Sequence, residues 1–433
     1  MTLAEDIEAL IFAEREARFG ALGLPPEFVA PNYGGRSIVN VPATIVSLFG
    51  GQLTTPPLDA RLVEPFAPGV KRVVLIIVDA LGYREWLRAL ERNRHNGFHR
   101  LSQRGAVLVP ITSVFPSTTT AALTSLWSGY TPVEHGFMGY LLFLREFNVR
   151  ADMIAFSPTA TAKVANAELL AAGLKPEAFL PVPSLPQTLK RYDVPTYNLI
   201  EQPYTNSALS RVQIRGQREM KPIVTASDLW GVLRLTIEQH QAERALFVAY
   251  WSKLDTIAHI YGPAPEFVLD EIDSFAYSFE HAFLDRLSPQ ALNGTLFLLT
   301  ADHGQVETPI AHTVYLRDHP EVRSRLVMDP AGEPRASYLY VRHGEKDAVC
   351  ANIQAQLGDR FVVLDAQAAL DGGLFGRGIM APEARHRIGD LIVLPRGNHI
   401  LWERHEAPHN LGRHGGLTPP EMLVPLVAAR LDG

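Results

Sequence analysis

The chain has 433 residues, 47% hydrophobic and 20% charged, with 40 Lys+Arg against 46 Asp+Glu and a net charge of −6. This balance excludes a disordered chain and supplies a sizeable core, in about three domains by length or one enzyme domain with insertions. A mildly acidic chain is poorly suited to binding a nucleic-acid polymer, and the single Cys350, unable to form an intrachain disulfide, fits a reducing compartment.

The N-terminus, Met1-Thr-Leu-Ala-Glu-Asp-Ile-Glu, carries acids where a secretory signal carries a basic segment. An uncleaved amphipathic helix over about Leu3–Phe19 and a cytoplasmic location are expected. No apolar run reaches the roughly 18 residues of a membrane-spanning helix, so no membrane partner is expected. Val73–Val78 is a continuous apolar run, the pattern of a strand buried on both faces of a parallel sheet. Helical patterns follow over about Arg84–Arg94 and Thr119–Trp127. Residues 141–240 are rich in proline and polar residues and read as an inserted stretch of short elements. Ala245–Trp251 and Thr295–Thr300 repeat the core-strand pattern, with a helix over Pro265–Leu287 opened by its proline. Residues 311–385 hold a strand pattern at Ala336–Arg342, a helix near Glu345–Leu357 and a strand at Phe361–Leu364. Leu391–Leu394 then reads as another core strand. The fold class is α/β: a doubly wound, mainly parallel sheet with helices on both faces and a small α+β insertion. The expected division is an N-terminal helical extension (1–65), a catalytic core (66–310 and 386–433) and the insertion (311–385).

In open α/β sheets, ligands sit beyond the carboxyl ends of the strands. Asp79 follows the first apolar run, Asp255 and His259 the second, and Asp302 and His303 the third; His414 comes in the last loop, Gly412-Arg-His-Gly-Gly-Leu-Thr-Pro. Singly, each has an ordinary reading as a turn former, a helix cap or a surface loop residue. Together, Asp oxygens and His nitrogens suit zinc or manganese better than magnesium or calcium. Phe115-Pro-Ser-Thr-Thr-Thr-Ala-Ala-Leu-Thr-Ser-Leu-Trp-Ser-Gly129 adds hydroxyls at a helix start. They suit an N-cap and equally a nucleophile, because the free N–H groups and dipole favour an alkoxide and a bound phosphate.

These segments resemble the alkaline phosphatase superfamily, and within it the type I phosphodiesterase/nucleotide pyrophosphatase family. The resemblance rests on Val78-Asp79, the Thr cluster after Phe115-Pro116, Asp255-Thr-Ile-Ala-His259-Ile-Tyr-Gly-Pro263, Thr300-Ala-Asp-His-Gly304 and Gly412-Arg-His-Gly-Gly416, in the family's order. Ala258 replaces a family glycine. The resemblance implies an alkaline phosphatase-like core and two divalent ions, zinc by family habit, although Asp and His also accept manganese. Asp255, His259 and His414 would hold one ion, and Asp79, Asp302, His303 and Thr119 the other. Three carboxylates and one alkoxide then balance two divalent charges. The family's spacing to Gly129 and from Phe115 selects Thr119 as nucleophile, with Thr118 next. The implied activity is hydrolysis of a phosphate diester or pyrophosphate bond in a small phosphorylated substrate, through a phosphothreonine.

Departures mark the alternatives. Tyr140 stands where nucleotide pyrophosphatases carry a phosphate-binding Asn, and Tyr250 stands where alkaline phosphatases carry a third-metal Glu. Ser117-Thr-Thr-Thr lacks the sulfatase Pro and Arg. Lys253 and His312 are further candidates for substrate contact. A phosphomonoesterase, phosphonate hydrolase or phosphomutase on the same core is the alternative, and a catalytically silent metal-binding protein is the rival from another class.

Overall fold

A computed structural model describes residues 2–160, 168–263, 266–404 and 406–432. Its central sheet has seven strands in the order Val107–Thr112, Leu423–Arg430, Thr295–Thr300, Arg72–Val78, Ala245–Trp251, Thr196–Glu201 and Glu219–Ile223. Leu423–Arg430 runs antiparallel to both neighbours, and the strands from Thr295 onward in that order pair in parallel. Helices cover the sheet, giving the doubly wound α/β architecture. The Arg72–Val78 strand is buried along its whole length at the sheet centre, as its unbroken apolar run requires. The N-terminal helix spans Leu3–Phe19, opened by a reciprocal Thr2–Glu5 capping box. It buries Ile7, Ile11 and Phe19 and packs near the Val107–Thr112 edge strand.

A second seven-stranded sheet is antiparallel throughout: Phe361–Asp365, Leu391–Pro395, Ala336–Leu339, Ala331–Glu333, Leu141–Leu144, Val149–Asp152 and Ser157–Pro158. It corrects two expectations. Leu391–Leu394 is not a strand of the parallel core but the neighbour of Phe361–Asp365. Its apolar run is continuous because its alternate residues enter two different cores. Ile392 and Leu394 join the main core, while Leu391 and Val393 pack with Val349, Ile353 and Leu357 of the Lys346–Leu357 helix in a smaller one. Period-two geometry thus mimics a parallel strand. Nor is 141–240 one insertion: its start builds the second sheet, whereas Thr196–Glu201 and Glu219–Ile223 extend the central one.

Tyr83–Arg92, Thr119–Leu126 and Lys346–Leu357 are helical near their expected bounds. The expected helix opening at Pro265 lies outside the described residues; Glu266–Ser278 is helical and runs on through a wider π turn over Phe279–Phe283. Among the described residues, no helix is long and apolar enough to cross a membrane.

Candidate active site

Strand register sets the site. Val78 pairs with Trp251 and Ile77 with Thr300, so the three central strands end level. The residues that follow each end meet at one rim. Asp79 comes directly after Val78. Lys253–Tyr261 is a helix that presents Asp255 and His259, one turn apart, on a shared face. Asp302 and His303 occupy the turn after Thr300. Gly304 is required in that turn, because a Cβ there would lie 2.1 Å from the Pro420 carbonyl oxygen. His414 arrives differently from the expectation of a core-strand loop. A short pairing of Gly412–Arg413 with Val306–Glu307, and a bridge between Ser117 and Gly415, carry it to the rim.

The six side chains fall into two clusters among the described residues: Asp255, His259 and His414, half-buried, and Asp79, Asp302 and His303, buried. Within each, the donor atoms lie within 4.8 Å of one another. His259 Nε2 is 3.3 Å and His414 Nε2 3.8 Å from Asp255 Oδ1. His303 Nε2 is 3.6 Å from Asp79 Oδ1 and 3.4 Å from Asp302 Oδ2. The His303 and His414 rings stack at 3.7 Å, which joins the clusters.

The histidines are oriented from behind. Nδ1–H of His259 donates to the Gly412 carbonyl at 2.8 Å, that of His303 to Gly304 at 3.1 Å and that of His414 to Ser117 at 3.2 Å. Each carbonyl can only accept, so each ring turns an Nε2 lone pair toward the clusters, the tautomer that binds a metal. Asp255 Oδ1 accepts from the Gln305 side-chain amide at 2.5 Å, whereas the Asp79 and Asp302 carboxylates are incompletely satisfied. Asp302 Oδ1 accepts from the Ala80 and His303 amides at 3.1 and 3.0 Å, and Asp79 Oδ2 from the Tyr250 hydroxyl. Among the described residues, Asp302 Oδ2 and Asp79 Oδ1 are buried without a partner. Burial, then mutual repulsion with Asp302 and Asp255, pushes Asp79 far above the usual carboxylate range; burial lifts Asp302 to about 7. Burial depresses His303 to about 3, and burial with the neighbouring His303 pushes His414 well below the ordinary imidazole range. Orphaned buried oxygens facing imidazole lone pairs are the donor set of a divalent-cation site. The residues therefore fit the two ions that the family implies.

Among the four hydroxyls weighed for the nucleophile, Ser117 donates to the Gly416 carbonyl at 2.8 Å and Thr120 to Gly139 at 2.8 Å, while Thr118 hydrogen-bonds Glu333. Thr119 begins the Thr119–Leu126 helix and is less buried than the others. Its hydroxyl donates to His303 Nε2 at 3.1 Å, between the clusters.

The site opens into a cavity of about 420 Å³ lined by Thr119, Tyr140, Asp255, His259 and His414 and walled by the second sheet and the 402–413 loop. A smaller lobe of about 120 Å³ adjoins it at Thr119 and Asp255. Tyr140 lines the larger lobe, its hydroxyl donating to Asp152. Two sequence candidates face elsewhere. Lys253 ion-pairs with the buried Glu201 at 2.5 Å. His312 bonds Asn398 and stacks on His399 at 5.0 Å, apart from the residues that line either lobe. Partners distant in sequence, a carboxylate for Lys253 and an amide and a ring for His312, account for both placements. Glu333 and Arg413 line the cavity and were not foreseen. Burial raises Glu333 to about 8. Glu333 belongs to the second sheet, and no local pattern ties it to the rim; Arg413 is marked only by its place beside His414.

The family model described as type I phosphodiesterase/nucleotide pyrophosphatase matches residues 73–417. No curated protein matches the chain. Among solved structures, murine ectonucleotide pyrophosphatase/phosphodiesterase 5 superposes with a TM-score of 0.61 at 16% identity, over 82% of this chain and 87% of that one. An inactive variant of that murine protein in complex with AMP gives 0.60 at 16% identity, over 83% and 88%. Phosphonoacetate hydrolase from Sinorhizobium meliloti 1021, in complex with phosphonoformate, gives 0.61 at 17% identity, over 84% and 90%. At such identities these likenesses concern the fold.

Proposed function

The chain belongs to the type I phosphodiesterase/nucleotide pyrophosphatase family of phosphoric-ester hydrolases, and from that premise we propose that it cleaves a phosphate diester or pyrophosphate bond in a small phosphorylated substrate through a phosphothreonine at Thr119. One observation carries the reading: two Asp/His clusters, the more buried with two oxygens unpartnered among the described residues, flank the cavity-lining Thr119 hydroxyl, which bonds His303. Asp255, His259 and His414 would hold one divalent ion, and Asp79, Asp302, His303 and Thr119 a second, with zinc the preferred metal. The ions would supply charge that lowers the pKa of the Thr119 hydroxyl and offsets the charge developing on the entering and leaving oxygens.

The protein's own groups do the rest. The Thr119 helix start aims Oγ1 into the cavity, where it attacks phosphorus. The hydroxyl proton passes to water, an Oγ1–P bond forms, the P–O bond to the leaving group breaks, and its electron pair departs with that oxygen, which is protonated from water. Water then attacks the phosphothreonine, and Oγ1 leaves. The Ser117, Gly304 and Gly412 carbonyls keep the imidazoles in one tautomer throughout. Tyr250 binds Asp79 where a third-metal carboxylate would stand, which favours a diester over a monoester. The single Cys350 is unpaired, in keeping with a reducing, cytoplasmic setting.

The test is hydrolysis of bis(p-nitrophenyl) phosphate beside p-nitrophenyl phosphate, by metal-stripped protein re-loaded with zinc or manganese. Preferential diester cleavage that returns with metal is expected. A monoester preference would move the assignment to a phosphatase. Two bound ions with neither ester cleaved would leave the mutase, phosphonate hydrolase or silent-binder readings.

A further inference from the structure

The cavity leaves the ion-binding clusters in two directions. The smaller lobe is mostly apolar, lined by Leu123, Trp127, Ile200 and Leu209. The larger runs toward Trp402, Arg404 and Arg413. Arg413 directly precedes His414 and is anchored by backbone pairing to Val306. Its guanidinium lies 4.8 Å from the Trp402 ring centroid, and that of Arg404 lies 5.6 Å from the same ring. Trp402 is itself fixed: it is buried, and its Nε1–H donates to the Glu406 carbonyl at 2.7 Å. Two guanidiniums on one indole place two positive charges together on the cavity wall.

Two acids of the same lobe, Glu333 and Glu403, have other partners: Glu333 Oε2 lies 3.6 Å from His414 Nδ1. Glu403 is shared between Arg150 at 3.7 Å and Arg404 at 3.6 Å. The Arg413 side chain makes no hydrogen bond or ion pair among the described residues, and its Nε is buried without a partner. A guanidinium has five N–H donors in a fixed fork that matches an oxyanion, and leaving them unpaired in a water-poor wall is costly. Nothing in the two-ion chemistry uses them.

We propose that Arg413, with Arg404 beside it, forms a subsite for a second oxyanion on the substrate, a carboxylate or phosphate carried on the side of the scissile phosphorus that faces the second sheet. The assignment rests on the hydrolase reading above and narrows its substrate class to diesters or pyrophosphates with an additional acidic group.

Three esters sharing one p-nitrophenyl arm test it: phenyl, 4-carboxyphenyl and 4-phosphonophenyl p-nitrophenyl phosphate, with zinc-loaded protein. The wild type should prefer an acidic ester over the phenyl ester by about tenfold or more in kcat/KM, chiefly through KM, the scale of a charge-assisted hydrogen bond. The carboxylate and phosphonate arms show which oxyanion it takes. In R413Q the preference should collapse to within about twofold, and R413K should keep part of it. Because the readout is a ratio, a general loss of activity divides out, and metal content checks that each variant is folded. An equal preference in R413Q, or none in the wild type, overturns the subsite. If no ester is cleaved, the hydrolase reading fails, and calorimetric binding of the acidic and neutral esters to zinc-loaded T119A and T119A/R413Q decides the subsite alone. Tighter binding of the acidic ester that R413Q abolishes upholds it, and equal binding sinks it.

Discussion

Thr119 and His135 show how differently two polar side chains in neighbouring helices serve the protein. Thr119 Oγ1 donates to His303 and faces the cavity, with its backbone held by a helix whose other residues are core. Removing that oxygen removes the proposed nucleophile and little else. T119A should therefore lose at least about a thousandfold in kcat, as nucleophile deletions do, while binding both ions in near-normal amounts. Turnover surviving at a tenth of wild type would shift the role to Thr118 or to water. His135 is wholly buried, between Ser125 Oγ at 3.0 Å and the Phe137 amide at 3.1 Å. Burial holds its ring neutral down to about 3, against an ordinary value of 6.5. Between those values the unfolded chain binds a proton that the folded chain does not, so stability falls as pH falls, and above about 6.5 this contribution is constant. The slope owed to this one residue approaches about 1.4 kcal/mol per pH unit. H135N should be less stable at pH 7, yet lose stability less steeply between pH 6 and pH 4 in urea titrations. Parallel curves for the two proteins would show that the folded site accommodates the imidazolium.

At the scale of elements, the junction between the two sheets carries the site. Arg335, in the turn between Ala331–Glu333 and Ala336–Leu339, makes a fully buried two-point ion pair with Glu421 at 2.6 and 2.9 Å. Glu421 begins the approach to the Leu423–Arg430 strand; its side chain also accepts from the Gly416 and Thr418 amides, and its backbone carbonyl from the Gly304 amide. One carboxylate thus ties the second sheet, the His414 loop and the Asp302-His303 turn together. E421A leaves a buried guanidinium unpaired and should cost about 3–5 kcal/mol, read from the urea midpoint, with weaker zinc binding at the His414 cluster. A loss under about 1 kcal/mol would mean that Thr418 or water replaces the carboxylate. The junction also marks the limit of what the sequence discloses. Asp79, Asp255, His259, Asp302 and His303 were legible because apolar runs announce the strands and the site lies beyond their ends. Thr196–Glu201 was not, because Tyr197, Asn198 and Glu201 break its apolar pattern; each is buried only by virtue of partners at His240, Gln217 and Ser252. Pro110 and Pro222 likewise disguised two strands, and both lie on sheet edges, where a missing donor is tolerated. Leu391–Pro395 was visible as a strand but not as a member of the second sheet, since a run buried by two cores looks the same as one buried by two helical layers.

Over the whole molecule, residues from Asp79 to His414 converge on one rim, and their convergence is costly without ions. Asp79 and Asp302 are buried with oxygens that no donor among the described residues reaches, and the burial that pushes both pKa values up is free energy stored against the fold. A cation that binds the folded rim and finds no such cluster in the unfolded chain stabilises the fold by mass action, by about 2.7 kcal/mol per site at a hundredfold excess over its Kd. The clusters draw on the Asp79 and Asp302 turns, the Lys253–Tyr261 helix and the loop that runs to the second sheet, so the gain should be global rather than local. Stripping metal should lower the thermal midpoint by several degrees, and titrating zinc back should raise it in proportion to the logarithm of free zinc. Asp255→Asn should abolish one of the two binding steps and leave the other, because Asp79, Asp302 and His303 form a separate cluster without it. A midpoint indifferent to zinc would mean that the clusters hold no ion in the native protein, and would remove the premise on which the chemistry at Thr119 depends.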